Sequence, residues 1–173
     1  FAILRHGAIV VNINPTYTAR EVLALSVDSG IRVLVTLDVL APLVTPLRTQ
    51  CAIEQVIVTS MAEYSAAEAS PPRLEQTLTF ADLAAGEGMP PVTRVPIDPD
   101  EVAVLQYTGG TTGAPKGAML THRSIFANVV QTETYTYRTR TRGEGRYLLV
   151  IPYFHIFGFT VGMMKGTWVG ALQ

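Results

Sequence analysis

Short runs of β-branched and aliphatic residues alternate along this chain with segments of helical character. Three of these runs are Ile9–Ile13, Ile31–Leu37 and Gln55–Ser60. Each has the length of a buried strand. Between the first two runs, Thr18 and Glu21 have the spacing of a capping box, which predicts a helix that ends at Gly30. Strands that alternate with helices form βαβ units, so the sequence predicts an α/β fold with a mostly parallel sheet.

The rest of the chain continues this alternation. A weaker helix is expected from Asp38 to Gln50, because Pro46 cannot lie in a helix interior without a kink. Further strands are expected at Thr77–Phe80, Val102–Tyr107 and Tyr147–Ile151, and further helices at Ala81–Ala85, Thr121–Glu133 and Ile156–Ala171. The inner side of the helix over residues 121–133 is expected to carry Ile125, Phe126, Val129 and Val130. Residues 86–99 are rich in proline, which predicts a linker or long loop.

Charge is distributed unevenly although the net charge is −1. Residues 1–101 carry an excess of acidic side chains and residues 102–173 an excess of basic ones. The basic half suggests an anionic ligand, whereas the nearly neutral whole argues against nucleic-acid binding. The single cysteine, Cys51, cannot form an internal disulfide bond, so a reducing, cytoplasmic location is expected.

Residues 147–164 contain no charged side chain and reach the minimum length of a membrane span. Pro152, His155 and two glycines interrupt the segment. A prediction of a strand, a loop and a buried helix accounts for these interruptions, and it continues the alternation of strands and helices seen earlier in the sequence. We therefore expect no membrane span here.

The segment from Thr108 to Gly117 is the most informative part of the sequence. Its residues are Thr108, Gly109, Gly110, Thr111, Thr112, Gly113, Ala114, Pro115, Lys116 and Gly117. Glycines let backbone N–H groups approach an anion, and threonine hydroxyls bind phosphate oxygens or a phosphate-bound Mg²⁺. Lys116 adds a positive charge. These residue types, placed directly after a strand, predict a polyphosphate-binding loop.

Two other phosphate-binding patterns do not fit this loop. A Walker A loop requires glycine and lysine in consecutive positions followed by serine or threonine, whereas Lys116 here lies between Pro115 and Gly117. The dinucleotide pattern fails because the leading Gly-x-Gly is missing. These failures argue against a kinase or ATPase of the Walker class. A Gly/Thr hairpin loop without a ligand remains the alternative.

The stretch YTGGTTGAPKGAMLTH resembles the AMP-binding signature of the adenylate-forming superfamily, which includes acyl-CoA synthetases, luciferases and peptide-synthetase adenylation domains. HGAIVVNINPTYTAREVLALSVDSGIRVLVT resembles the family's upstream region, and IPYFHIFGFT its downstream segment. LQYTGGTTG and HIFGFT are similar to bacterial long- and medium-chain fatty acid–CoA ligases. The resemblance covers most of the chain and is weakest over residues 61–95.

The resemblance implies two half-reactions. A carboxylate, here a fatty acid or a related acid, attacks the α-phosphate of ATP and gives acyl-AMP and pyrophosphate; the thiol of coenzyme A then displaces AMP. The implied phosphate-binding residues are Thr108, Gly109, Gly110, Thr111, Thr112, Gly113 and Lys116. Thr111 is implied to touch Mg²⁺, and Lys116 to neutralise phosphate charge.

Two of the three histidines are weighed against structural roles. His155 matches a family position at the junction of the acyl and nucleotide pockets, where the implied role is to orient the carboxylate; a core histidine is the alternative. His122 follows the signature at a predicted helix start, where packing or capping is expected. Lys116, Thr111 and His155 are therefore the candidate catalytic residues.

The family's later motifs have no counterpart in residues 1–173: the Tyr-Gly-x-Thr-Glu segment, the Thr-Gly-Asp motif and the C-terminal catalytic lysine. We therefore expect an internal fragment of a ligase that is inactive alone. The expected division is an α/β portion over residues 1–99, the signature strand, loop-hairpin and helix over 100–146, and the start of a second subdomain over 147–173. Apolar surface uncovered in that last part predicts self-association.

Several alternatives remain open. The chain could act as a non-catalytic nucleotide-phosphate-binding module, or belong to another adenylating ligase such as an aryl-CoA ligase or a peptide-synthetase adenylation domain. The arginine-rich segment Tyr135–Arg146 is interpreted as a solvated strand edge. Attraction to coenzyme A phosphates or to an anionic membrane surface is its other interpretation.

Overall fold

The computed structural model of this chain describes residues 1–65, 74–86, 93, 95–108, 116–136 and 143–173. They form two compact units, one of Phe1–Asn14 with Arg94–Gln173 and one of Pro15–Thr93. This division differs from a boundary at residue 99, because the first strand of the chain pairs with a strand of the C-terminal half.

The elements follow one another in the alternation that the sequence predicts. The helices are α1 (Ala2–Arg5), α2 (Ala19–Ser29), α3 (Ala41–Val44), α4 (Phe80–Ala85), α5 (His122–Thr136) and α6 (Lys165–Val169). The strands are β1 (Val10–Val11), β2 (Val33–Leu37), β3 (Gln55–Thr59), β4 (Leu78–Thr79), β5 (Val102–Thr108) and β6 (Lys116–Thr121). Short 3₁₀ helices cover Thr45–Thr49 and Met61–Tyr64, and Gly158–Met164 is π-helical.

The unit of residues 15–93 contains a parallel sheet in the order β2-β3-β4. The predicted capping box starts α2: the Thr18 hydroxyl accepts from the Glu21 N–H, and the Glu21 carboxylate accepts from the Thr18 N–H. The Thr18 N–H and the Thr18 hydroxyl both donate to the Glu21 carboxylate, and these bonds hold the pKa of Glu21 below its ordinary value. Gly30 ends the helix with a φ of 65°, a left-handed conformation that favours glycine. Pro46 lies in the 3₁₀ helix after α3, so the expected break in the helix is confirmed.

The other unit contains a three-stranded sheet in the order β1-β5-β6. β1 is parallel to β5, and β6 is antiparallel to β5. The core beside this sheet is formed by Leu4, Ala103, Val104, Ile125 and Phe159. The central strand β5 is thus held by a strand on each side and by apolar side chains of α1, of α5 and of residues 156–169, the C-terminal helical stretch.

Two expectations for the second half of the chain are wrong. Of the four residues expected on the inner side of α5, Ile125 and Val129 are buried, whereas Phe126 and Val130 are 49% and 39% exposed. The predicted strand Tyr147–Ile151 is not formed: next to it, only Arg146 makes a bridge, to Leu172. The apolar alternation is present, but the described residues offer this segment no further strand with which to pair, and Leu148 stays 91% exposed.

The predicted helix over Ile156–Ala171 is confirmed as a helical stretch that includes the π-helical turn and α6. Phe126 of α5 packs edge-to-face on Trp168 of α6, with ring centroids 5.0 Å apart. None of the helices among the described residues combines the length and apolar character needed to cross a bilayer. Of the arginine-rich segment, Tyr135 and Thr136 end α5 rather than form a strand, and residues 137–142 lie outside the described part.

Candidate functional site

The signature begins at the end of β5 and continues in β6, which form an antiparallel hairpin. Thr108, the last residue of β5, is the cross-strand partner of Lys116, the first residue of β6. Both side chains are exposed. The predicted phosphate-binding residues Gly109, Gly110, Thr111, Thr112 and Gly113 come between β5 and β6 in the sequence and lie outside the described residues. The structure therefore brings together a hydroxyl and an ammonium group at the two ends of this segment.

The hairpin is held behind this pair by a buried aromatic ring. Tyr107 is only 7% exposed and is paired across the hairpin with Gly117. A Cβ atom at residue 117 would lie 3.0 Å from Cζ and 3.2 Å from Cε2 of that ring. Glycine is therefore favoured at residue 117, because a larger side chain would displace the tyrosine ring by a few tenths of an ångström. The strand β6 and this contact were not anticipated from the sequence.

Gln106 connects three parts of the unit. Its Oε1 accepts a hydrogen bond from Nδ2 of Asn12 at 3.3 Å, and its Nε2 donates to the carbonyl oxygen of Phe154 at 3.3 Å. Asn12 directly follows β1, and Phe154 precedes the candidate residue His155. This half-buried amide was missed in the sequence, where the only signal is a polar residue in the apolar run Val102–Tyr107.

His155 starts the C-terminal helical stretch and is exposed. Its carbonyl accepts from the Phe159 N–H at 2.9 Å, and its Nδ1 accepts from the Phe157 N–H at 3.2 Å. The side chain therefore caps the helix, and the neutral ring carries its proton on Nε2. Nε2 remains as a donor for a ligand atom. The alternative of a buried core histidine is wrong.

The cations near the signature differ in their availability. Lys165 is 3% exposed, and its Nζ lies 2.6 Å from Oγ1 of Thr136 and 3.6 Å from a carboxylate oxygen of Glu133. It is thus committed to the C-terminal part of α5. Arg123, at the end of the signature, donates to both carboxylate oxygens of Asp100 at 2.6 and 3.0 Å, and these bonds hold the pKa of Asp100 below its ordinary value. Lys116 is exposed at the hairpin end, where it can meet an anion.

His122 is the first residue of α5, and its backbone N–H donates to the Glu101 carbonyl at 3.2 Å. This agrees with the expected place at a helix start. Cys51 is half-buried, and its Sγ lies 3.1 Å from the Leu47 carbonyl oxygen, so the thiol is part of the local packing. Neither residue lies at the hairpin end.

The donor set at the hairpin end fits an anion better than a protein-held metal ion. The described residues contain no group of three or more His, Cys, Asp or Glu side chains that could hold a metal. A hydroxyl and an ammonium group suit phosphate oxygens, and Mg²⁺ bound to a nucleotide keeps mostly phosphate and water ligands. The two side chains at this end of the hairpin can therefore donate hydrogen bonds to phosphate oxygens.

The chain is similar to known CoA ligases over nearly its whole length. A long-chain-fatty-acid–CoA ligase of Bacillus subtilis is 35% identical over 178 residues, which cover 94% of this chain and 32% of that ligase. The structure of a long-chain-fatty-acid–CoA ligase from Archaeoglobus fulgidus matches with a TM-score of 0.78 at 28% identity, covering 99% of this chain and 31% of that one. ATP-bound MatB from Rhodopseudomonas palustris has the same fold, with a TM-score of 0.78 at 21% identity over 99% of this chain and 31% of MatB.

The chain thus spans about a third of the length of the curated relatives that it matches. A sequence model described as AMP-binding enzyme matches residues 1–172. The α/β fold, the parallel sheet and the predicted resemblance are thereby confirmed. The chain belongs to the family of AMP-binding, adenylate-forming enzymes.

Proposed function

We propose that this chain is part of a longer fatty acid–CoA ligase that forms AMP. In the first half-reaction, a fatty-acid carboxylate attacks the α-phosphate of ATP and releases pyrophosphate. In the second, the thiol of coenzyme A attacks the acyl-AMP and releases AMP. The observation that carries the proposal is the exposed pair Thr108 and Lys116 at the ends of the signature loop. The identity of 35% to the Bacillus subtilis ligase supports the fatty-acid substrate.

In this proposal the signature loop binds the β- and γ-phosphates. The contributing residues are Thr108, Gly109, Gly110, Thr111, Thr112, Gly113 and Lys116. Backbone N–H groups of the glycines and hydroxyls of the threonines donate to phosphate oxygens, and Lys116 stabilises the charge that develops on the leaving pyrophosphate. Magnesium, held by the phosphates with the Thr111 hydroxyl, would supply further neutralisation of that charge.

His155 is proposed to orient the carboxylate. Its Nδ1 is occupied by the Phe157 N–H, so Nε2 is the atom that donates to a carboxylate oxygen. A donor at this atom holds the nucleophile without removing a proton from it, which suits an acid that is already ionised. The C-terminal catalytic lysine and the ribose-binding aspartate of the family are proposed to lie in the part of the protein beyond these residues.

Acid-dependent ATP–pyrophosphate exchange by the full-length protein tests the proposal. We expect exchange with fatty acids, strongest at one chain length, and a loss of about 100-fold or more in Lys116→Ala, since one charge-stabilising donor contributes that much. Lys116→Arg keeps the charge and should retain part of the rate. Arg20→Ala, which removes an exposed cation from α2, is the matched control.

The outcomes separate the alternatives. Exchange that depends on aryl acids or amino acids would replace the fatty-acid substrate by that of an aryl-CoA ligase or a peptide-synthetase adenylation domain. Nucleotide binding without exchange would indicate a non-catalytic binding module. ATP hydrolysis without any acid dependence would contradict adenylation. The 173-residue chain alone is expected to show no exchange.

Self-association of the 173-residue chain is a separate part of the proposal. Leu148 and Val150 are 91% and 81% exposed in an extended segment with apolar alternation. Exposed apolar side chains of this kind favour association. Light scattering should show a mass that rises with concentration, and Leu148→Lys should lower it. A monomer at high concentration would contradict this part alone.

A further inference from the structure

The half-buried amide of Gln106 has a role that the fold does not require. Its strand neighbours from residue 102 to 105 are apolar, and an apolar residue here would pack in the same sheet. A half-buried amide is costly unless its polar atoms are bonded. Both ends of this amide are used, towards Asn12 and towards the Phe154 carbonyl. Both bonds are long, at 3.3 Å, so each contributes little to stability, and together they satisfy the donor and the acceptor of the amide.

The orientation of this amide is determined by its partners. The Phe154 carbonyl can only accept, so it must face the NH₂ group of Gln106. Oε1 then faces Asn12, whose NH₂ group donates to it. Asn12 directly follows β1, whose register with β5 places it beside Gln106. Rotation of the Gln106 amide by half a turn would therefore lose its bond to the Phe154 carbonyl.

The bond to Phe154 acts on the peptide group that precedes His155. The carbonyl oxygen of this group accepts from Gln106 Nε2, and its N–H, on His155, donates to the Pro152 carbonyl at 3.0 Å. Both polar atoms of one peptide plane are thus held. The imidazole is held as well, because its Nδ1 accepts from the Phe157 N–H. The direction of Nε2 relative to β5 is fixed by these three bonds together.

Gln106 and Thr108 lie on the same face of β5, since side chains alternate along a strand. Their Cα atoms are about 7 Å apart along the strand, at two residues of about 3.3 Å each. One strand therefore carries both the first residue of the phosphate-binding signature and the side chain that holds the peptide before His155. Across the hairpin, Lys116 is paired with Thr108 and Ala118 with Gln106.

We propose that Gln106 is a positioning residue that holds His155 in register with Thr108 and Lys116, so that the carboxylate and the polyphosphate meet in line. This inference rests on the proposed adenylation. Gln106 itself touches neither substrate in this role. Its removal should therefore lower the rate of the adenylation step and leave ATP affinity intact, because displacement of a reacting group by about 1 Å costs about 100-fold in rate.

The kinetic test compares Gln106→Met with Gln131→Met in the full-length protein. Methionine keeps the length of the side chain and removes the amide, and Gln131 is an exposed residue of α5. We expect Gln106→Met to lower kcat of fatty-acid-dependent exchange by about 10- to 100-fold, with KM for ATP within about two-fold, and Gln131→Met to change neither. Gln106→Glu, which cannot donate to the carbonyl when ionised, should lose as much as methionine.

A double variant separates a positioning role of Gln106 from a merely structural one, because only a positioning effect depends on the presence of His155. In a His155→Ala background, Gln106→Met should cause no further loss, because the group that it positions is gone. A full additional 10-fold loss in that background, or a rise in KM for ATP with unchanged kcat, would overturn the inference. If the wild-type protein shows no acid-dependent exchange, the proposed function is contradicted. The positioning of His155 by Gln106 is then tested by NMR of the His155 ring, which does not depend on activity.

That structural test uses ¹⁵N-histidine labelling and NMR. In the full-length protein, the variants His6→Ala, His122→Ala and His155→Ala assign the signals of the three histidines of this chain. Wild-type protein should show the Nε2–H tautomer at His155. Gln106→Met should shift the ring signals of His155 and leave those of His6 and His122 in place, whereas Gln131→Met should shift none. Unchanged His155 signals in a folded Gln106→Met protein would overturn the inference whatever the activity.

Discussion

Three glycines spaced four residues apart in the C-terminal helical stretch should respond very differently to the same substitution. They are Gly158, Gly162 and Gly166, and none has a positive φ. Replacement by alanine in a helix normally gains about 1 kcal/mol, because the unfolded chain loses flexibility. The difference between the three sites therefore comes from what the added Cβ atom meets.

At Gly158 the added atom meets rigid backbone. It would lie 2.8 Å from the Ile151 carbonyl oxygen and 2.9 Å from the Pro152 carbonyl carbon, and it clashes most closely with the Pro152 oxygen. That oxygen also accepts the N–H of His155, so it cannot withdraw alone. Overpacking against side chains costs about 1–3 kcal/mol, and a backbone obstacle is worse. After the gain in propensity, Gly158→Ala should lower the free energy of unfolding by about 3 kcal/mol.

At the other two sites the added atom meets side chains that can move. Gly162→Ala would place Cβ 3.0 Å from Cδ2 of Leu149, which can rotate, so the cost of about 1 kcal/mol offsets the gain. Gly166→Ala displaces the exposed side chain of Gln173, whose Nε2 donates to Met163 and Thr167 at 3.3 and 3.5 Å and whose Oε1 accepts from the Tyr153 hydroxyl at 3.0 Å. We expect Gly166→Ala to be neutral or to stabilise by about 1 kcal/mol.

Urea denaturation of the three purified variants and the wild type, followed by circular dichroism, measures these differences. The expected order of stability is Gly166→Ala above Gly162→Ala, with Gly158→Ala lowest. The alanine side chain is the same in all three variants, so each serves as the control for the others. A Gly158→Ala protein as stable as Gly162→Ala would refute the placement of the carbonyls of residues 151 and 152 against this helix.

Three further substitutions test other parts of the structure. The bond from Arg32 to Glu54 holds the pKa of Glu54 below its ordinary value of 4.5. The pair therefore stabilises the fold above that pH, and this stability is lost as the pH falls through the lowered pKa. Glu54→Gln should make the free energy of unfolding less dependent on pH in acid, and an unchanged pH profile in denaturation would contradict the ion pair. Gly117→Ala, placed 3.0 Å from the Tyr107 ring, should destabilise by about 1–3 kcal/mol in urea, and full stability would show that the ring lies elsewhere. The Ser26 hydroxyl is buried without a hydrogen-bond partner in the described part of the chain, so Ser26→Ala should raise the melting temperature, and a lower one would reveal a partner.

Elements with local signals were predictable from the sequence. The capping box at Thr18 and Glu21, the glycine end of α2 and the break at Pro46 each depend on residues within one turn of one another. Their physical cause is a local hydrogen bond or a fixed φ, which any neighbouring structure leaves in place. The strands β2 and β3 were found almost to the residue because each is an apolar run with the length of a buried strand.

Elements that depend on distant partners were predicted poorly. β6 carries two alanine or glycine residues and a lysine in six positions, which is a weak strand pattern, and it forms because β5 offers a complete edge. Residues 147–151 have the stronger strand pattern and form no strand, because among the described residues the pairing ends at the bridge from Arg146 to Leu172 and the bond from the Tyr147 N–H to the Leu172 carbonyl. Pairing decided both outcomes, and pairing is not visible in the composition of either segment.

Residue type alone was also insufficient to predict the candidate site. Sequence identified Lys116 and His155 as residue types suited to phosphate and carboxylate, but Lys165 has the same type as Lys116 and lies in the more apolar surroundings. Only the packing of α5 separates them, because Glu133 and Thr136 engage Lys165. α5 follows directly after β6, and Lys165 follows His155 by ten residues in one helical stretch. The contacts of the buried Lys165 with Glu133 and Thr136 therefore hold the helix that starts at His155 against α5, and Gln106 connects the residue before His155 to β5. The distance between the two candidate residues is set by these contacts, which no local motif encodes.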